Sequence, residues 1–428
     1  MLVLKTLPRN PLLVGSTLFF AANAASSFFS YFFQLLASRL LPLSEYGELV
    51  ALFSAIGIIT IPFIVINPAV VKKVSEYKAN KDYKTLTKLF FELAALNLLF
   101  FAVLFVFFAV FSKQTAMWLN ITDKNTILAC SAIAGVSLIA GLPFYFLQGL
   151  LRFKGAGFVG ITSSIFKLIF GIGGIIILRG VLGAFYGLIL GSILLFIVSF
   201  LVLKKNLYFN GIAELDFSRV RSILPYAFSS ILVIVPITVI FNMDTVFAKH
   251  YLLPEIAGVY SSVAVIGKII FFGVSGFGAI VFPVISEKVV KGESLNKVIS
   301  GSLKLYLVLL LSAVLIYRIF PEVLVNLLFG QRYAGAIPYL GVYSIYISFY
   351  SLISLFATMY LAVSKFSYGR VLIGGLIAYI LCVTLFEKTI LGIIYAGILS
   401  MGLTVIATVI YHYVFIRNSS SVQAGKNN

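Results

Sequence analysis

The sequence predicts an all-α integral membrane protein of about twelve transmembrane helices in two six-helix lobes, with both termini cytoplasmic. Three observations carry that prediction. Of 428 residues, 61% are hydrophobic and only 11% charged, whereas a water-soluble domain runs near half apolar and a quarter charged. Charge-poor runs of roughly 20 residues or more, the length that crosses a hydrocarbon core, recur along the whole chain. Lys and Arg are dense in every second segment between those runs and sparse in the others. The formal net charge of +18 would suggest nucleic acid in a soluble chain, but cations confined between apolar runs set membrane topology instead and exclude that partner.

The first run follows Lys5 and Arg9 and stays free of charge from Asn10 to Ser38. That is too long for a signal-peptide core of about 7 to 15 residues, so it reads as a retained helix. The spans are then 12–38, 48–71, 89–112, 127–151, 156–178, 181–203, 223–247, 256–285, 299–321, 336–362, 367–386 and 390–416. Their connections are too short to hold a folded extramembrane domain. With the N-terminus inside, 22 of the 32 Lys and Arg fall on the cytoplasmic side, eight on the outer side, and Lys167 and Lys268 lie deep within spans.

The spans read as a parallel duplication. The stretch Ala37, Ser38, Arg39, Leu40, Leu41, Pro42 recurs as Ala248, Lys249, His250, Tyr251, Leu252, Leu253, Pro254, at an offset of about 211 residues. Pro68 before Lys72 matches Pro283 before Lys288, and Gly157 matches Gly369. The expected organisation is an N-terminal lobe over 1–203, a cytoplasmic linker over 204–222, a C-terminal lobe over 223–416 and a cytoplasmic tail over 417–428.

Enzyme signatures are absent. Cys130 and Cys382 lie far apart in apolar runs, which leaves neither a disulfide framework nor a CxxC site. No GxxxxGK[ST] loop is present, and His250 and His412 belong to no ligand cluster, so no metal and no cofactor are expected. Catalysis on short loops with few acids is not expected either.

The informative residues are charges that a bilayer excludes. A charged side chain at mid-membrane costs at least roughly 2.5 to 3.5 kcal/mol, so it persists where it meets a cavity or a partner. Lys167, beside Thr162, Ser163 and Ser164, lies about ten residues, or roughly 15 Å, from either end of its span. That is too far to snorkel, and it reads as a cavity-lining cation. Lys268 is read the same way. Asp244, next to Asn242, is either a coupling site for a proton or cation, a counter-ion for Lys268, or an interfacial helix-end residue. Arg39 either snorkels at the end of the first span or faces an anion. Glu92, four residues after Lys88, reads as a solvated helix-end pair.

The segment ASRLLPLSEYG (Ala37 to Gly47), followed by an apolar span, Pro68 and a basic loop, resembles the opening of polysaccharide transporters of the MOP superfamily, the Wzx-type flippases of lipid-linked oligosaccharides. Asn242, Met243 and Asp244, then LLPEIAGVYSSVAVIGK from Leu252 to Lys268, are similar to the second lobe of that family. The resemblance implies a MATE-like V of two six-helix bundles around a central cavity. It implies alternating access that moves a polyprenyl-(pyro)phosphate-linked sugar chain from the inner to the outer leaflet, in a prokaryotic cell membrane. Lys167, Lys268 and Arg39 are the cations available for the phosphate, and Asn23, Gln34, Asn67 and Gln148 the polar side chains available for the sugar. Membrane lipids, and glycan polymerases or transferases at the basic inner loops, are the further partners implied. The competing reading is a cation-coupled multidrug exporter of the same superfamily, which should carry more deep acids than this chain does. A lipid II flippase of fourteen spans, a membrane polymerase or ligase, and a non-transporting scaffold fit the residues less well.

Overall fold

The computed structural model describes residues 11–208, 217–290, 296–362 and 365–424. Lys5, Arg9, Lys291, Lys426 and the middle of the expected linker, 209–216, lie outside that set. Among the described residues no strand occurs, as expected where a backbone must satisfy its own polar groups in hydrocarbon. The chain divides into two compact units, Met1–Phe228 and Ser229–Asn428.

Unit 1 contains α1 (Pro11–Leu40), α2 (Leu43–Ile59), α3 (Ile61–Ala79), α4 (Tyr83–Trp118), α5 (Lys124–Gly149), α6 (Phe153–Leu178) and α7 (Gly180–Leu203). The first turns of α8 (Ser218–Tyr251) also belong to it. The expected span 48–71 is not one straight helix: α2 and α3 meet at Thr60 with a bend of 51°. Pro62 stands at the second position of α3 and cannot donate to Ile58, and the Thr60 hydroxyl takes the Ile56 carbonyl at 2.8 Å. α4 shows what solvates these helices. Only 11% of its apolar window is buried, with Val103, Val106 and Val110 each more than half exposed, an arrangement suited to lipid and not to water.

α6 and α7 pack backbone to backbone through Gly174, Gly183 and Gly187. A methyl group at Gly187 would overlap the Phe170 carbonyl, and one at Gly174 the Gly183 carbonyl. At the other end of unit 1, Val70, Val74, Phe90, Phe146, Leu147 and Leu203 form a core that takes in Val220 and Ile223 of α8. Glu92 is fully buried there and ion-paired with Arg219, so the solvated Lys88 pair expected for it is not what forms. α4 turns Glu92 inward toward the start of α8, and no water reaches it.

Unit 2 contains the rest of α8, then α9 (Pro254–Val290), α10 (Asn296–Ile319), α11 (Pro321–Leu328), α12 (Ile337–Ala362), α13 (Gly369–Leu385) and α14 (Ile390–Ala424). The chain turns by 82° between α10 and α11, at Phe320 before Pro321. Among the described residues nine helices are long and apolar enough to cross a membrane, or up to 11 if each bent pair is one span. α1, 30 residues long, occupies the place of the first expected span.

Candidate functional site

Unit 1 places a cation on α6 with no acid beside it. The ammonium of Lys167 lies 4.7 Å from the centre of the Phe53 ring of α2 and 5.1 Å from that of Phe33 of α1. Lys167 is half-buried, and two π faces stabilise its cation but do not neutralise it. Among the described residues the Lys167 side chain has no hydrogen bond and no ion pair. One turn earlier Ser164 is buried, donates to the Gly160 carbonyl at 3.2 Å and accepts from Ser30 of α1 at 3.4 Å. The buried Ser26 hydroxyl and the Gln34 side-chain oxygen, also on α1, have no hydrogen-bond partner among the described residues. Small residues on α6 let the helices approach: a methyl group at Gly160 would meet Ser26 Oγ at 3.4 Å, and one at Gly171 would meet the Phe33 ring at 2.6 Å. The result is a seam of hydroxyl and amide groups along α1 and α6, ending at an ammonium.

Unit 2 holds the opposite arrangement. Asp244 of α8 is fully buried and accepts from Lys268 Nζ of α9 at 2.9 Å and from the Tyr343 hydroxyl of α12 at 2.7 Å. Lys268 is also buried and sits 4.7 Å over the Phe241 ring. Gly267 makes room for Tyr343, whose ring occupies the space a Cβ there would need. Tyr260 and Tyr346 pack edge-on against Tyr343 with centroids at 6.2 and 5.3 Å, which closes the pair off from water. In this geometry Asp244 is the counter-ion of Lys268, and the lysine charge is already used.

Apart from Gln34 in the α1–α6 seam, the remaining expected residues are dispersed. Arg39 and Asn23 are exposed, whereas Gln34, Asn67 and Gln148 are half-buried. The Asn242 side chain donates to the Thr238 carbonyl one turn back, at 2.8 Å. Asn67 lines a cavity of about 220 Å³ with Thr60, Asn97, Ser137 and Tyr145, on helices other than the α1–α6 seam. Reasoning from sequence missed Tyr343, Phe33 and Phe53. All three come from helices distant in the chain from the charge they touch, and in so aromatic a sequence nothing local distinguishes them.

A profile of the family described as "polysaccharide biosynthesis protein" matches residues 12–289. The chain belongs to that family. Its fold is also that of MOP-superfamily transporters. An inward-facing multidrug resistance MATE transporter of that superfamily superposes with a TM-score of 0.70 at 12% identity, over 92% of this chain and 96% of the other. The lipid II flippase MurJ, in an inward closed conformation, superposes with a TM-score of 0.72 at 14% identity, over 93% and 87%. No curated protein matches the sequence. The likeness to MOP-superfamily polysaccharide transporters read from Ala37–Gly47 and Leu252–Lys268 is thus met at the level of family and fold.

Proposed function

We propose that this member of the polysaccharide biosynthesis protein family flips a polyprenyl-(pyro)phosphate-linked oligosaccharide from the inner to the outer leaflet by alternating access. The observation that carries the reading is Lys167, a positive charge in a membrane-spanning helix with no carboxylate partner among the described residues. A phosphate passing through hydrocarbon needs such a charge, because a cation already neutralised by the protein has little to offer it. The family description and the likeness to a lipid II flippase support the same substrate class. On this reading the phosphate rests on Lys167 and the hydroxyls of the α1–α6 seam hold the first sugar. Arg39 acts at the end of α1, and within unit 2 Lys268 is available to an anion only when Asp244 releases it. The positive-inside pattern supports cytoplasmic termini, and membership of a polysaccharide biosynthesis family is what favours a prokaryotic cell membrane with glycan polymerases or transferases as neighbours.

A second reading, cation-coupled drug export, is favoured by Asp244, a deep acid on a MATE-like fold. Its pairing with Lys268 weighs against it, since an acid that recognises cationic drugs should be open to them. The two readings separate in one reconstitution. Proteoliposomes containing the purified protein are given a fluorescent polyprenyl-pyrophosphate oligosaccharide or a cationic dye. Protein-dependent leaflet exchange of the first without uptake of the second supports flipping, and the reverse pattern replaces it with drug export.

A further inference from the structure

At the end of unit 1 where α3 and α5 finish and α6 begins, two adjoining cavities of about 440 and 390 Å³ share Arg152 and Val202. The larger is lined by Lys78, Arg152 and Lys154 together with Leu147, Phe153 and Gly155, and the smaller adds Lys205 beside Val198 and Leu201. Four cations therefore converge on one concave region, and no carboxylate lines either cavity. Among the described residues none of the four side chains has a hydrogen bond or an ion pair.

The backbone adds to the same field. Arg152 is the N-cap of α6 without a side-chain capping bond, and the first intrahelical bond runs from the Ala156 amide to its carbonyl. The amides before Ala156 are thus left as donors at the positive end of a 26-residue helix. Arg152 and Lys154 are the wrong charge for that place unless something anionic binds there. The turn is stiff: Leu151 adopts φ 56°, and the amides of Leu151 and Arg152 return to Gln148 and Leu147 at 2.8 and 2.9 Å. Arg152, Lys154 and Lys205 are exposed and Lys78 is half-buried, and all four border a cleft whose other wall is apolar. Leu151 and Leu201, both nearly half exposed, continue that wall outward.

We propose that this cleft holds the phosphate head group of an anionic membrane lipid, with Arg152 at the centre, Lys78, Lys154 and Lys205 around it, and the lipid's first methylenes against Val198, Leu201 and Val202. The assignment is independent of what the protein transports. Basic pockets between helices at a membrane surface recognise phosphate-rich head groups in this way.

Native mass spectrometry of the full chain in detergent, titrated with cardiolipin, tests it. Each cation near an anionic head group is worth about fivefold in affinity, so Arg152→Ala with Lys154→Ala should raise Kd roughly 30-fold. Lys84→Ala with Lys88→Ala removes the same charge at the same end of unit 1 from residues that line neither cavity, and should leave Kd within about twofold. Phosphatidylcholine should not bind saturably, and both double variants should melt as the parent does. Equal weakening in the two double variants would mean diffuse surface attraction and overturn the proposal, as would an unchanged Kd in Arg152→Ala/Lys154→Ala. Inorganic pyrophosphate binding as tightly as cardiolipin would overturn the lipid assignment in favour of a free phosphate site.

Discussion

Replacing Asp244 by Asn strands the Lys268 ammonium in a closed site, with only the Phe241 ring and a neutral amide beside it. Replacing Lys268 by Met strands the carboxylate, which keeps the Tyr343 hydroxyl but no cation among the described residues. Breaking a buried pair by removing one partner costs about 3 to 5 kcal/mol, because the other charge stays buried and uncompensated. For a unit of this size each kcal/mol moves the melting temperature by about 2 to 4 °C, so each single variant should melt roughly 6 to 20 °C below the parent. The double variant has no charge left to strand, and Asn at 244 still accepts the Tyr343 hydroxyl. It should therefore recover most of the loss, within about 1 kcal/mol of the parent. The assay is thermal unfolding of the purified protein in detergent, with the four forms compared as a double-mutant cycle. Additive losses in the double variant would refute the counter-ion account. A parental melting temperature for Asp244→Asn, together with lost transport, would make Asp244 a coupling residue instead.

Three further outcomes follow from the same geometry. Gly187→Ala should separate α6 from α7 and lower the melting temperature by several degrees, whereas Gly173→Ala, with nothing within 4 Å of the new methyl group, should be neutral or slightly stabilising; thermal unfolding of both checks the contrast. Arg219→Met should destabilise unit 1 by about 3 kcal/mol or more through the orphaned Glu92, while Lys88→Ala changes little, as read by proteolysis of unit 1. Asp82 caps α4, and the Thr85 hydroxyl and amide hold its carboxyl below the usual 3.8. That contribution is present above 3.8 and is lost as pH falls through the lowered value, so amide exchange at Thr85 should accelerate only in acid below 3.8 and, at neutral pH, in Asp82→Ala.

The spans were legible because hydrocarbon excludes charge, a constraint that each residue reports independently of its neighbours. The break at Thr60 was not. Pro62 is visible in the sequence, but a proline in a membrane helix either bends it or is absorbed, and the 51° outcome depends on what packs around it. Asp244 and Lys268 lie 24 residues apart on successive helices, close enough in the chain for pairing to be one of the readings. Tyr343, 99 residues from Asp244, carried no such clue. Glu92 misled because Lys88 stood one turn away while its partner, Arg219, lay 127 residues on, across a segment read as a loop. The basic residues 78, 152, 154 and 205 were legible only as topology signals. Their convergence on a cleft depends on which helix ends meet.

The most direct test of the central claim is the initial rate of leaflet exposure of a polyprenyl-pyrophosphate oligosaccharide in proteoliposomes, for the parent, Lys167→Ala and Lys167→Arg at matched protein content. If Lys167 carries the phosphate, the alanine form should show no protein-dependent exposure and the arginine form an intermediate rate, because the charge is kept while its geometry changes. An alanine form that flips the lipid at the parental rate would contradict the account.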